Sequence, residues 1–187
     1  MTRIIRNYGL IAGGILSGLM VLTFGGAKLL GLEHTGGTTS MLIGYTTMLL
    51  SFVMIYFGIR SYRDTVLGGS VRFWPAARLG LLIALIASVC YSVTWVVLGD
   101  TFLPGFAEKY AAAAVKAAED RGVSAAELQK TRADMANFVV MYRNPVYKFG
   151  MTLLEPAPVG VLIALISAGV LSRRRREQVS SLGTVVS

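Results

Sequence analysis

Four stretches of this chain are apolar and long enough to cross a bilayer: residues 8–27, 41–59, 76–98 and 149–171. A hydrocarbon core of about 30 Å takes roughly 20 helical residues at about 1.5 Å each. The first two stretches carry no charge, the third carries only Arg78 near its start, and the fourth carries only Glu155. The composition agrees. Of 187 residues, 54% are hydrophobic and 15% charged, with a mean hydropathy of +0.61, too apolar for an ordinary soluble domain. The expected fold is therefore all-α, a polytopic membrane protein of four transmembrane helices. One cysteine and one histidine exclude a disulfide framework and an all-Cys/His metal cluster.

The net charge of +8 would invite a nucleic-acid reading if the cations were clustered on a binding fold, but they flank the apolar runs. Arg3, Arg6, Arg60, Arg63, Arg72, Arg78 and Arg173 to Arg176 fall on one side of the four spans, opposed only by Asp64 and Glu177. On the other side the bases and acids balance. Positive flanks stay in the cytoplasm, so both termini are expected there, in a bacterial inner (cytoplasmic) membrane. Arg60, Arg63, Arg72 and Arg78 are candidate contacts for lipid headgroups, which attract a nearby cation by about 1 kcal/mol. Membrane lipids are thus the expected partners, together with a membrane protein or a second copy of the chain, and no nucleic acid. The start of the chain also has the outline of a signal peptide, with Gly25-Gly26-Ala27 as a faint cleavage site. Its apolar run is long for that role, and it reads as the first span.

Residues 101–147, between the third and fourth spans, are too many for a turn. Pro104 can open a helix through residues 107–119, and Gly122 can close it. Ser124-Ala125-Ala126-Glu127 has the spacing of a capping box for a second helix, whose apolar stripe includes Leu128, Met135, Phe138, Val139 and Tyr142. Asn144-Pro145 should end it. The expectation is an extracytoplasmic helical hairpin inserted in a transmembrane domain of residues 1–176, with a disordered cytoplasmic tail at 177–187.

Lipid tails are as apolar as leucine, so close backbone approach and interhelical hydrogen bonds must join the spans. Small residues at four-residue spacing mark candidate seams: Gly9, Gly13 and Ser17, with Gly14 and Gly18 beside them; Ser40, Gly44, Thr47 and Ser51; Gly80, Ala84, Ser88 and Ser92; and Gly160, Ala164 and Ala168. A large side chain at Gly14 or Gly160 is expected to disrupt packing. Trp74, Tyr91, Trp95, Phe102, Tyr142 and Tyr147 are read as interfacial anchors.

Glu155-Pro156-Ala157-Pro158 is where chemistry could reside. The uncharged run from Pro156 to Ser172 makes only about 25 Å of helix, so a longer helix would draw Glu155 below the interface. Pro156 and Pro158 remove the N–H groups that the carbonyls of Thr152 and Leu154 would bond in a continuous helix. A broken helix follows, with Glu155, Pro156, Pro158 and Thr152 as a candidate intramembrane site and Lys28, Arg143 or Lys148 as candidate partners of the acid. A structural account also exists, in which a helix starts at Pro156 and Glu155 sits at its positive end. Glu33-His34 offers too few ligands for a metal, Cys90 reads as a core position, and no cofactor or catalytic motif is present.

Met41-Leu42-Ile43-Gly44-Tyr45, Tyr62-Arg63-Asp64 with Gly68-Gly69, Tyr142-Arg143-Asn144-Pro145, Glu155-Pro156-Ala157-Pro158-Val159-Gly160 and Leu165-Ile166-Ser167-Ala168 together resemble the bacterial membrane family catalogued as domain of unknown function 4199. The resemblance spans roughly residues 5–175 and implies four spans with an outer helical segment, and no activity. The residues themselves favour a non-enzymatic membrane component that binds lipid or a protein partner. The alternatives are a small-solute or proton-coupled transporter, acting as an oligomer around Glu155, and an intramembrane enzyme.

Overall fold

A computed structural model describes the backbone of residues 1–29 and 38–185, and the side chains of residues 1–26, 29 and 42–172. Among them are seven α-helices and no strand: α1 (Thr2–Leu29), α2 (Thr38–Thr65), α3 (Phe73–Phe102), α4 (Phe106–Asp120), α5 (Ala125–Tyr142), α6 (Pro145–Leu154) and α7 (Ala157–Val185). Four segments are long and apolar enough to cross a membrane: Thr2–Gly26, Leu42–Thr65, Phe73–Phe102 and Pro145–Ser172. By length and composition this is a multi-pass membrane protein. The chain divides into two compact units, Met1–Tyr91 with Leu153–Ser187, and Ser92–Thr152.

The first unit packs α1, α2, the first part of α3, and α7 through the small residues of their seams. A Cβ added at Gly9 would lie 2.8 Å from Ile86 Cβ, at Gly13 2.7 Å from Cys90 Cβ, at Gly80 3.0 Å from Ala164 Cβ and at Gly160 2.9 Å from Ala84 Cβ. Helices that approach this closely leave no room for a side chain, and the contact itself supplies the attraction. Ala12, Phe52, Ile55, Ile59, Leu79, Ile83 and Ala168 fill the interior alongside buried Ser51, Ser88 and Ser167. The serine hydroxyls can be kept there because helix carbonyls are within reach: Ser51 Oγ donates to Thr47 O at 2.8 Å. The outward face is apolar as well, with Leu10, Leu22, Leu50, Val53, Leu85, Leu162 and Ile166 all exposed. Such a surface suits hydrocarbon and would aggregate in water.

Gly14 and Gly18 correct the expectation for α1. Nothing lies within 4 Å of a Cβ added at either. A helix turns about 100° per residue, so with Gly13 facing α3 its neighbour points away from that seam. Gly44 is likewise open, whereas Gly58, which the spacing did not single out, closes on Ile83 and Tyr8.

The second unit is built on different contacts. α4 ends in a Schellman turn: Gly122 sits at φ +66, its N–H donates to Glu119 O at 2.9 Å, and Val123 N–H reaches Ala118 O at 3.5 Å. Ser124 then caps α5, its hydroxyl accepting from Glu127 N–H at 3.3 Å. At the other end of the hairpin, α4 starts at Phe106 with Gly105 as N-cap, so Pro104 lies two residues before the first helical one. Asn144 caps α6 through Val146 N–H at 2.9 Å, with Pro145 as the first helical residue.

Inside this unit Phe106 meets Trp95 edge-on at 5.3 Å and Tyr142 at 5.7 Å, while Phe138 stands 5.2 Å from Tyr142 and 5.5 Å from Tyr110. Trp95 and Tyr142 are therefore core residues and not interfacial anchors; Tyr91, in the first unit, is buried as well. Their polar tips are satisfied inside, as when Trp95 Nε1 donates to Tyr142 Oη at 2.7 Å. Trp74 does remain exposed. At the chain's end α7 runs on to Val185, through residues expected to be a disordered tail.

Candidate functional site

The fourth span is broken where its prolines require. α6 stops at Leu154, Glu155 and Pro156 form a turn, and α7 begins at Ala157. Pro156 is fully buried, and its carbonyl accepts the N–H of Gly160 at 2.9 Å, the bond that opens α7. Pro158 falls within the first turn, where no intrahelical donor is needed. The break thus fixes the backbone around an acid and turns Leu154 and Glu155 outward, both exposed.

Glu155 receives a hydrogen bond from a tyrosine expected at the interface. Tyr91, buried in α3, donates from its hydroxyl to Glu155 Oε2 at 3.2 Å. The signal was present in the spacing: Ala84, Ser88 and Tyr91 follow one another at four and three residues, so Tyr91 continues the seam face of α3. One bond leaves most of the carboxylate's accepting capacity open.

Two of the bases expected as partners of Glu155, Lys148 and Arg143, are engaged elsewhere. Lys148 is buried in the second unit, where its Nζ donates to both oxygens of Asp100, at 2.9 and 2.8 Å, and stands 5.3 Å over the Tyr142 ring. Arg143 lies 3.8 Å from Glu108. The side chain of Lys28 is outside the described residues, as are Glu33 and His34. Thr152 is buried, and its hydroxyl donates to Lys148 O at 2.8 Å, a local helix bond that gives it no evident role beyond α6.

Among the arginines, Arg63 is buried and donates through Nε to Asp64 Oδ1 at 2.6 Å, with Arg60 3.6 Å from the same carboxylate. α2 closes next to them through Gly68 and Gly69, both at positive φ, and Gly69 N–H donates to Arg63 O at 2.9 Å. Arg72 and Arg78 flank exposed Trp74 at the start of α3 and are themselves exposed. Arg63 is therefore committed to holding the end of α2, and Arg60, Arg72 and Arg78 are the members of the set that face outward. Among the described residues, no group of three His, Cys, Asp or Glu side chains converges as a metal site would require.

Comparison with known proteins yields one result. Residues 7–173 match the family described as protein of unknown function (DUF4199), and the chain belongs to that family. No curated protein matches it, and no solved structure does.

Proposed function

We propose that this member of the family is a non-enzymatic component of a bacterial inner membrane, with both termini cytoplasmic, and that its Glu155 turn binds a positively charged, hydrogen-bonding group on a lipid or on the span of a partner protein. One observation carries this reading. The acid of the fourth span is held on one side by a buried tyrosine hydroxyl at 3.2 Å and is open to the exterior of its unit on the other. A carboxylate on a lipid-facing surface is costly unless something pairs with it, and intramembrane acids mark functional sites by default. An ammonium or guanidinium arriving from outside would supply that pairing, while the broken backbone keeps the acid in place. The sequence carries no recognisable catalytic motif, and this favours the non-enzymatic half.

Transport is the second reading, and the helix break favours it, because interrupted spans build ion and substrate sites in transporters. It would require copies of the chain to enclose Glu155 from the side on which one copy leaves it open.

A photoreactive amino acid replacing exposed Leu154, next to Glu155, tests the proposal in whole membranes. A discrete adduct with an amine-bearing lipid or a second protein is expected, reduced about tenfold or more by Glu155→Gln. An adduct indifferent to Glu155→Gln would overturn the proposal. Solute or proton flux in proteoliposomes, abolished by the same substitution, would move the assignment to transport.

A further inference from the structure

The face of α3 that takes no part in the seams of the first unit changes from polar to apolar along its length. Gly80 and Ala84 turn inward against α7, and Ser88 is buried beside them. On the opposite side Trp74, Arg78, Leu82, Leu85 and Val89 follow one another at intervals of three or four residues, a single stripe of the helix, and all of them are exposed. Arg78 lies inside the membrane-span segment that begins at Phe73. Among the described residues no acid pairs with it: Asp64, the acid at this end of the unit, is taken by Arg63 at 2.6 Å and Arg60 at 3.6 Å. A second cation approaches from α1 instead. Gly9 packs on Ile86 and Gly13 on Ala87 and Cys90, so α1 runs parallel to α3, and exposed Arg6 stands one turn before the first of these contacts. Counted at about 1.5 Å per residue from there, Arg6 and Arg78 differ by about 8 Å in height, close to the depth of one headgroup layer. Both side chains lean toward their helix N-termini, which lie at the same end.

We propose that this stripe seats one anionic phospholipid, its phosphate held by Arg78 and Arg6 beside the Trp74 ring and its acyl chains lying along Leu82, Leu85 and Val89. The length fits. Arg78 to Val89 is about 16 Å of helix, and one leaflet of the hydrocarbon core is about 15 Å deep. The sign selects a net-negative headgroup over a zwitterionic one, whose own ammonium the two arginines would repel. A partner's span is the poorer match, because spans join where small residues let backbones approach, and Gly80, Ala84 and Ser88 are already used inside the unit. A soluble phosphate would meet the arginines but leave the three apolar side chains uncovered. Trp74 stands at the headgroup end, the level that suits an amphipathic ring.

The two tryptophans of the chain provide the test, since Trp74 is exposed and Trp95 buried. Full-length protein in phosphatidylcholine nanodiscs receives a small fraction of phosphatidylglycerol with brominated chains, which quench an indole they touch. Quenching should require about tenfold less of this lipid than of phosphatidylcholine brominated in the same way, and Trp74→Phe should remove it. Arg78→Gln and Arg6→Gln should each reduce the preference about fivefold, Arg78→Lys should retain most of it, and Arg60→Gln, whose cation already faces Asp64, should change it less than about twofold. Glu155→Gln should leave it unaltered, which separates this site from the one in the fourth span. Equal quenching by the two lipids would overturn the proposal, as would quenching that survives Trp74→Phe. An equal loss with Arg60→Gln and Arg78→Gln would reduce the effect to diffuse surface charge and overturn it too. Displacement of the lipid by soluble glycerol phosphate would assign the arginines to a free anion, and a dimer that shields Trp74 from both lipids would assign the stripe to a second copy. The wild-type comparison of the two lipids stands whatever the variants do to folding.

Discussion

The bundle of α1, α2, α7 and the first part of α3 and the hairpin of α4 and α5 solve the same problem, two helices side by side, by opposite means. In the bundle the exterior is leucine, valine and isoleucine, the interior admits serine, and contact is made where glycine removes the side chain altogether. In the hairpin unit the exterior carries charged side chains among exposed residues such as Val140 and Val146, the interior is a cluster of aromatic rings, and the helices are punctuated by caps and tied by ion pairs. The difference follows from the solvent each region fits. Water drives rings together and hydrates charges, so burial alone assembles the hairpin. Hydrocarbon gives apolar side chains no reason to leave it, so the bundle depends on fit and backbone proximity.

The sharpest way to break this contrast is to put a side chain into the bundle's closest approach. A Cβ at Gly13 would lie 2.7 Å from Cys90 Cβ and 3.3 Å from Ala87 Cα, atoms that cannot swing aside. Gly13→Leu should cost about 3 kcal/mol or abolish the folded protein, whereas Gly14→Leu, one residue round the helix, should be neutral or gain up to about 1 kcal/mol of helix propensity. Unfolding temperature and yield in detergent measure both. If Gly14→Leu is the damaging one, the essential surface of α1 is a contact with another molecule and the intramolecular seam is misassigned.

A smaller effect, in the hairpin unit, should show an asymmetry. The side chain of Lys148 is 8% exposed and that of its partner Asp100 is 78% exposed. Removing the acid leaves a buried ammonium without its counter-ion, while removing the base leaves a carboxylate already in solvent. Asp100→Ala should therefore destabilise the unit by about 1–2 kcal/mol, discounted for the exposure of the acid, and Lys148→Met by less than about 1 kcal/mol. Hydrogen exchange across residues 92–152 reads the difference. Equal costs would mean that packing of the lysine stem over Tyr142 outweighs the charge.

What could be read in the sequence divides along the same line. The four spans, the Gly122 and Ser124 signals between α4 and α5, and the break at Glu155 were legible because each depends on local chemistry: run length, positive φ, a hydroxyl at the cap, a missing N–H. The identity of the seam faces was only half legible. Gly13 and Gly14 are both glycine, and which of them meets α3 is set by how α1 is rotated, a fact of tertiary packing. Aromatic residues misled for a related reason. Trp74 and Trp95 lie near opposite ends of α3, but only Trp95 has an acceptor, Tyr142 Oη, waiting in the interior, and that acceptor comes from 47 positions away. Charge alone points from Glu155 to a base, whereas its partner is the neutral hydroxyl of Tyr91, which avoids the cost of burying a second charge.

The smallest predicted effect bears most directly on the solvent argument. Glu119 and Arg132 join α4 to α5 at 2.6 Å, with side chains 43% and 55% exposed. Geometry this close would be strong in a dry interior, but exposed pairs are worth only about 0–1 kcal/mol because water competes for both charges. A double-mutant cycle with Glu119→Ala and Arg132→Ala should give a coupling energy of about 0.5 kcal/mol, largely lost at 1 M salt, where the screening length falls to about 3 Å. Gly13→Leu, by contrast, should be indifferent to salt. A coupling above about 1 kcal/mol that persists in high salt would mean the pair is shielded from water. The hairpin would then share the bundle's solvent, and its aromatic core and charged rim would need an explanation other than contact with water.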